Sequence, residues 1–516
     1  MANVDHTPIL VGAGQYVDRA PPTLEHSLAP VDIAAEAAHR ALDHAGAVGD
    51  LRAMVDVLAV ARLFEHSVRD RVLWPNPFGG PNNLPRAVAQ RIGVKPRRAL
   101  YSEVGGETPQ RLVNQMAEAI HAGEIRAAVV TGGEALATIR KATRAGLQFD
   151  WREEVNGDFE DLWPDGEMIS DYEARHGLAY PIRVYCLFEQ VLRHELKLSR
   201  EQYRARIGQV FAPFSAVAAG NRYAQFPEVR SAHEIATASS ANFELCEPYT
   251  KWMVAQDAVN QGAAVVLTSV ALARELGIPE THWVYLRAYA DVDDQVILNR
   301  PRLATSHAQA LALKRALDDS KLAIADIPLI DLYSCFPIAV TSACETLGID
   351  PTGPTALTLT GGLPFFGGPG NNYSLHAIAE VVARLRHLPG AHALVAANGG
   401  YLSKHSVGIY SSALNEPWQP RSSAAERTAA KRPTEVTVVE RTEGLAVIES
   451  YAADHGKGDQ AGGYIVGRLQ ADNRRFVACM QPGSDAARAL LFSADPIGTP
   501  VRVSSVEGLN YFDTVN

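Results

Sequence analysis

Short, uninterrupted apolar runs recur along the chain, separated by stretches of helical period. Val55 to Ala59, Ala127 to Thr131, Gln261 to Leu267, Ile330 to Ser334 and Ala393 to Ala396 are such runs, broken only by single acids such as Asp56 and Asp331. Pro8 to Gly12 opens the chain with another. Runs of this length without polar alternation predict strands buried on both faces of a mostly parallel sheet. The intervening stretches read as amphipathic helices. Thr108 and Pro109 make a helix start, Thr as N-cap and Pro at the first helical position. Leu112, Val113, Met116 and Ile120 then share one face, as do Leu375, Ile378, Val382 and Leu385 further on. Strand and helix alternating in this way predict an α/β fold in layers.

The chain also resembles itself. His39 to Asp43, then Asp50 to Arg52, then Val55 to Ala59 match Lys314 to Asp318, Ala325 to Ile327 and Ile330 to Ser334 without a gap. A second pair follows in order. The helix beginning at Thr108 leads to the strand at Ala127 and a Gly132–Gly133 turn. The helix marked by Leu375 leads to the strand at Ala393 and a Gly399–Gly400 turn. Two copies of one layered unit are expected.

Residues 139–251 between the copies have another character, with an acidic Trp-bearing stretch and helical segments around Val184 to Leu198 and Glu201 to Ala218. They read as an insertion over one face of the sheets. Residues 416–433 are rich in Pro, Ser, Ala and charge and read as a linker. Beyond it, Val436 to Glu440, Leu445 to Tyr451, Tyr464 to Leu469 and Arg475 to Ala478 read as strands. Asp472–Asn473 is a hairpin turn and Ala486 to Leu491 a short helix, the pattern of a small β-barrel.

A length of 516 residues allows about two to four domains. Net charge is −10 with no basic run, which argues against nucleic acid as partner. Five scattered cysteines lack the spacing of a zinc site or disulfide framework and suit a reducing cytosol. No apolar run is long enough for a membrane span, and the N-terminus lacks a signal-peptide pattern.

Chemistry in such folds collects on loops at strand ends. Four loops carry candidates: Glu103 to Pro109 with Gly106 and Glu107; Tyr333, Ser334 and Cys335; the glycine-rich Gly361 to Asn372 with Gly367 and Gly368, opening onto His376; and Asn398, Gly399 and Gly400, leading to Lys404 and His405. A tyrosine hydroxyl such as that of Tyr333 can donate to an oxyanion or act as general acid, and Ser334 can bond the same group. His376 near a helix start and His405 after the glycine turn are proton-handling candidates. Glu107 reads as a base or as a cap complementing the helix dipole. Each has an ordinary alternative: Cys335 as a small apolar residue, Tyr333 as packing, the histidines as satisfied structural groups. Lys404 reads as solvated. The glycine loop lacks the Lys-Ser/Thr ending of a phosphate loop, so no nucleotide triphosphate site is expected.

Taken in order, these features resemble the thiolase superfamily, and within it the sterol-carrier-protein type and the thiolase-like proteins type 1 with an additional C-terminal domain. Thr131 to Glu134, Gln261 to Ala264, Tyr333 to Phe336, Gly367 to Pro369 and Asn398 to Gly400 are similar to that family's loops, in sequence order. The resemblance implies a thiolase fold divided as residues 1–138 with 252–280, an insertion at 139–251, a second half at 281–415, a linker at 416–433 and a β-domain at 434–516. It implies an acetyl-CoA acetyltransferase-like acyltransferase of lipid metabolism, acting on or binding acyl-CoA thioesters, with coenzyme A as part of the ligand, no covalent cofactor, no metal, and a homodimer as candidate assembly. It also exposes departures. The family's nucleophilic cysteine falls within Val104 to Glu107, where neither Cys nor Ser stands; the Gly-His-Pro histidine corresponds to Gly368; the second cysteine falls near Ala396 or Ala397. These losses open two other readings, a retro-aldol C–C lyase using Tyr333 and Tyr401, and a non-catalytic CoA-ester or lipid binder.

Overall fold

The computed structural model describes residues 4–68, 75–163, 168–414, 416–421, 424–431, 436–456, 462–493 and 495–515. Ten strands form one mixed sheet: β1 Pro8–Val17, β2 Val55–Val60, β3 Arg98–Tyr101, β4 Ala127–Ala135, β5 Glu160–Asp161, β6 Asn260–Ser269, β7 Val284–Asp293, β8 Leu329–Leu332, β9 His392–Gly399 and β10 Lys404–Ser411. Their spatial order is β5-β3-β2-β4-β6-β1-β7-β10-β9-β8. The sequence of pairings β2-β4-β6-β1 is mirrored by β8-β9-β10-β7, so the duplication read from residue patterns is a duplication of topology. The halves join where Ile9 and Leu10 of β1 pair with Tyr285 and Val284 of β7.

Helices add the outer and middle layers. Pro30–His44 and His307–Ser320 cover the two outer faces, while Thr108–His121 and Tyr373–Leu385 pack on each other between the halves. Pro30–His44 is lined with Ala34, Ala37, Ala38 and Ala41, all buried. It sits directly on sheet backbone: a Cβ at Gly12 or Gly14 would come within 2.1 Å of the Ala41 or Ala37 carbonyl oxygen. Gly133 serves the same close approach, while a Cβ at Gly132 would meet the Asn372 side chain at 2.6 Å. Both glycines lie inside β4, opposite Ala263 and Gly262, instead of forming the expected turn. A Cβ at Gly133 would lie 2.7 Å from the Ala34 nitrogen. The N-cap of Thr108–His121 is Glu107, one residue earlier than expected.

The stretch between β5 and β6 contains the helices Pro181–Glu195 and Arg200–Gly220. C-terminal to the sheet, β11 Gly444–Asp454, β12 Gly462–Leu469, β13 Arg475–Met480, β14 Pro500–Val506 and β15 Leu509–Thr514 close into a barrel, with the helix Asp485–Ser493 against it. Asn473, at φ 60°, makes the turn between β12 and β13. Val436 to Glu440 is not a strand; only Val438 forms a bridge, to Arg475. The barrel docks by buried polar contacts. Arg475 donates to the Leu298 carbonyl at 2.7 Å, and Ser450 Oγ to the Leu187 carbonyl at 2.6 Å. The expected linker lies partly outside the described residues; its described part contains the helix Ala424–Arg427, whose last residue reaches the core. No helix among the described residues is long and apolar enough to cross a membrane.

Candidate active site

The loop before the helix Thr108–His121 is fixed by the segment that follows the glycine-rich loop. Asn371 Oδ1 accepts from the Gly105 N–H at 3.0 Å, and Ser374 Oγ donates to the Gly106 carbonyl at 2.7 Å. Gly105 has φ +141°, a conformation side-chain-bearing residues rarely adopt. Tyr333 leaves the end of β8 with its N–H on the Ala396 carbonyl, and its ring stands edge-on to Tyr373 at 5.3 Å. Its hydroxyl fills the space where Gly106 would carry a side chain: a Cβ there would lie 2.0 Å from Tyr333 Oη and 2.7 Å from the Asn398 carbonyl oxygen.

Glu107 is fully buried beside this contact. Its carboxylate occupies the space over Gly399, where a Cβ would come 1.7 Å from Oε2, and neither oxygen meets a hydrogen-bond donor. Arg111 Nη1 stands 3.5 Å away and Lys404 Nζ 3.9 Å. Burial raises the Glu107 carboxyl above the usual range, while Lys404 and Arg111 pull it down. Lys404 is therefore buried, not solvated as its sequence context suggests, and it also donates to the Val104 carbonyl at 3.3 Å.

These groups belong to a larger buried charge cluster. Arg111 Nη2 donates to Asp293 Oδ1 at 2.7 Å, and Arg427 donates to Asp293 at 2.8 Å and to Glu103 at 2.9 Å. Asn114 donates to Asp291. Four carboxyls (Glu103, Glu107, Asp291 and Asp293) thus face three cations, Arg111, Lys404 and Arg427. Burial pushes the Glu107 and Asp291 carboxyls up, against the pull of the cations beside them. Burial would raise Asp293 as well, but Arg111 and Arg427 outweigh it and hold its carboxyl at about 2. That lies below the ~3.9 of an unfolded Asp. The ionised pair therefore contributes stability above about pH 4, lost as pH falls toward 2. The urea midpoint is expected to fall across that window, and Asp293→Asn to flatten the fall. An equal slope in both proteins would assign the acid sensitivity to other carboxyls.

On the other side of Asn398, its Nδ2 donates to Tyr185 Oη at 3.0 Å and approaches Cys335 Sγ at 3.5 Å. Tyr185 Oη also accepts from the Leu402 N–H and donates to the Gly400 carbonyl, and its ring stacks on Phe336 at 4.1 Å. Burial pushes the Cys335 thiol up to about 12, despite hydrogen bonding to Tyr185 and Asn398, so it stays a thiol near neutral pH.

The structure thus brings together Gly106, Glu107, Tyr333, Cys335, Asn398, Gly399 and Gly400. It sets the other candidates apart. Ser334 Oγ accepts from the Leu363 N–H and braces the glycine loop. Gly367 and Gly368 pack against the return segment: a Cβ at Gly367 would meet Gln261 Oε1 at 2.5 Å, and the Gly368 N–H bonds the Gln256 carbonyl. At Gly367 protein atoms occupy the close approach that the glycine permits, whereas a Cβ at Gly368 would make only ordinary contacts at 3.5 Å. His376 bonds Gln15 Oε1 at 2.8 Å against Phe366, and burial drives it down to about 3. His405 Nε2 meets Ser306 Oγ at 3.0 Å, and Ser306 donates to Asp294. Burial lowers His405 to about 4 although Asp294 opposes it. Both rings are neutral at physiological pH and engaged in structural bonds. Tyr401 donates to the Ala179 carbonyl. Sequence reasoning passed over Lys404, Arg111, Tyr185 and Arg427. Arg111 carried the one available signal, its i,i+4 spacing from Glu107.

Comparison with known proteins places this geometry. Residues 427–507 match the family described as thiolase-like protein type 1 additional C-terminal domain. The crystal structure of a monomeric SCP2-thiolase-like protein type 1 from Mycobacterium smegmatis is 36% identical, with 100% of both chains covered and a TM-score of 0.85. At the level of fold alone, the Ltp2-ChsH2(DUF35) aldolase matches 79% of this chain and 98% of its own at 18% identity and TM-score 0.56. An acetyl-CoA acetyltransferase from Syntrophomonas wolfei matches 80% and 100% at 16% identity and TM-score 0.53. No curated protein matches. A full-length relative at 36% identity, together with the matched C-terminal domain, shows that the chain belongs to the thiolase-like proteins type 1, with the thiolase fold and an added C-terminal barrel.

Proposed function

We propose that the protein binds an acyl-CoA or related thioester at the Tyr333–Glu107 site, in a reducing cytosol, and makes or breaks a C–C bond without an acyl-enzyme intermediate. The observation that carries this reading is the Tyr333 hydroxyl standing where a side chain at Gly106 would stand, 2.0 Å from its Cβ position. A nucleophilic side chain at Gly106 and the Tyr333 hydroxyl exclude each other. Cys335, held as a thiol, is a poor substitute. Acid and base groups remain, and retro-aldol cleavage of a β-hydroxyacyl thioester needs only those. The Glu107 carboxylate takes the β-hydroxyl proton, the bond between the α and β carbons breaks, and its electron pair passes to the α carbon. The Tyr333 hydroxyl supplies the proton there, leaving a shortened acyl-CoA and a carbonyl compound. Proton return from Glu107 to Tyr333 closes the cycle; burial raises the Glu107 carboxyl and suits it to accept a proton, with Lys404 and Arg111 pulling the other way.

The test is incubation with a β-hydroxyacyl-CoA in the absence of free CoA, with products read by mass spectrometry. Cleavage is expected; Tyr333→Phe should lower it by about 10²-fold or more, with Cys335→Ala retained. A requirement for free CoA would assign thiolysis. Calorimetric binding near micromolar Kd, about −8 kcal/mol, with no turnover would assign a binding protein.

A further inference from the structure

The barrel meets the segment before β6 through a short backbone ladder. The His455 N–H bonds the Leu245 carbonyl at 2.8 Å, the Glu247 N–H bonds the Ala453 carbonyl at 2.9 Å, and Cys246 and Asp454 form a bridge between them. This ladder brings the His455 ring beside Glu244 and Glu247, with one ligand-type atom of each within 4.8 Å of the others.

Two of those residues hold atoms that nothing satisfies. Glu247 is 4% exposed, and its Oε1 has no hydrogen-bond partner among the described residues. His455 Nε2 is buried and equally unpartnered. Buried polar atoms left unpaired cost about 1–3 kcal/mol each, so two of them together mark a place made for a third party. Arg204 Nε beside them is likewise buried without a partner among the described residues. Arg204 Nη2 donates to Glu244 Oε1 at 2.6 Å and to Glu247 Oε2, offsetting one of the two negative charges and leaving Glu247 Oε1 unengaged. Phe492 stands edge-on to the imidazole at 5.2 Å and limits its rotation.

We propose that His455 Nε2, Glu247 Oε1 and the Glu244 carboxylate bind a divalent transition-metal ion, zinc foremost, with water completing its coordination. One imidazole and two carboxylates suit zinc or a neighbouring transition ion, whereas magnesium and calcium favour all-oxygen sites. Ligand bonds of about 2.0–2.2 Å set tetrahedral ligand atoms about 3.4 Å apart, so the three side chains, whose atoms now lie within 4.8 Å of one another, close on the ion as it binds. The ion sits across the seam between barrel and inserted segment, away from the Tyr333 site, and ties the two together.

The full chain, stripped with EDTA and desalted, is titrated with zinc chloride by calorimetry and with cobalt(II) by visible absorption. One ion per chain is expected, with d–d bands of a low-coordinate site. His455→Asn should weaken binding by at least about 100-fold, more than the 10–100-fold typical of losing an outer-shell partner. Its melting temperature in EDTA gives the metal-free baseline, since the change also removes the ring packed on Phe492, and zinc should not raise it from there. Wild type alone should gain thermal stability from zinc. Glu247→Gln should weaken binding as well, checked against the same melting control because Glu247 also holds Arg204. Binding no tighter than millimolar, undiminished binding in His455→Asn, or equal affinity for magnesium would each overturn the assignment; the first would give the gap to a bridging water.

Discussion

Arg111→Met is expected to destabilise the folded chain by about 3–5 kcal/mol, the range for breaking a buried ion cluster from one side. The guanidinium is 3% exposed and stands 2.7 Å from Asp293, 3.4 Å from Glu103, 3.5 Å from Glu107 and 3.9 Å from Asp291. Methionine keeps most of the volume, so the loss is of charge and not of packing. Four carboxyls would then face two cations in a place where burial already disfavours ionisation. The Arg52–Asp43 pair, 37% and 70% exposed, provides the contrast. Arg52→Met should cost at most about 1 kcal/mol, because solvent screens such pairs. Urea midpoints of the two variants decide the matter. Equal midpoints would mean that the core carboxyls take up protons instead, and the Arg111→Met midpoint would then fall steeply as pH rises.

Gly106→Ala is the second large effect. Its methyl would lie 2.0 Å from Tyr333 Oη, 2.4 Å from Tyr333 Cζ and 2.7 Å from the Asn398 carbonyl oxygen. Neither neighbour yields easily, since Tyr333 is packed against Tyr373 and Asn398 lies in the β9 ladder. The expected cost is about 1–3 kcal/mol. Tyr333→Ala vacates most of the space, so the double variant should be less destabilised than the sum of the singles by about 1–2 kcal/mol. Strict additivity would mean that the Tyr333 ring is not what fills the Gly106 position. Gly106→Cys alone should yield no acyl-enzyme mass, because the thiol and the phenol compete for one space.

The apolar strands were legible because both their faces are buried: every residue of Val55–Val60 and of Ala127–Ala135 is buried, so no polar alternation masks the run. The duplication was legible because each copy keeps the same helix, acid and strand spacing. The glycines of β4 misled, since a Gly pair in isolation signals a turn, whereas Gly133 makes room for the alanine-lined helix and Gly132 for the Asn372 side chain. Lys404 and Arg427 were illegible for another reason. A charged side chain has no period, and the carboxyls that bury these two lie hundreds of residues away in sequence. His376 and His405 follow glycine loops along the chain, but the partners that hold their rings, Gln15 and Ser306, carry no sequence signal of the pairing. Val436 to Glu440 alternates like a strand but finds a single bridge partner.

Arg427 also bears on how this chain could come apart. It lies beyond the last core strand, in the stretch leading to the barrel, yet its guanidinium neutralises Glu103 and Asp293 beneath the loop that holds Gly106. A chain cut ahead of Arg427 would leave Asp293 to Arg111 alone and Glu103 to Arg111 and Lys404, one cation short of the set that the intact chain supplies. The tail is thus more than a tether, because it lends the interior a charge that the core does not hold by itself.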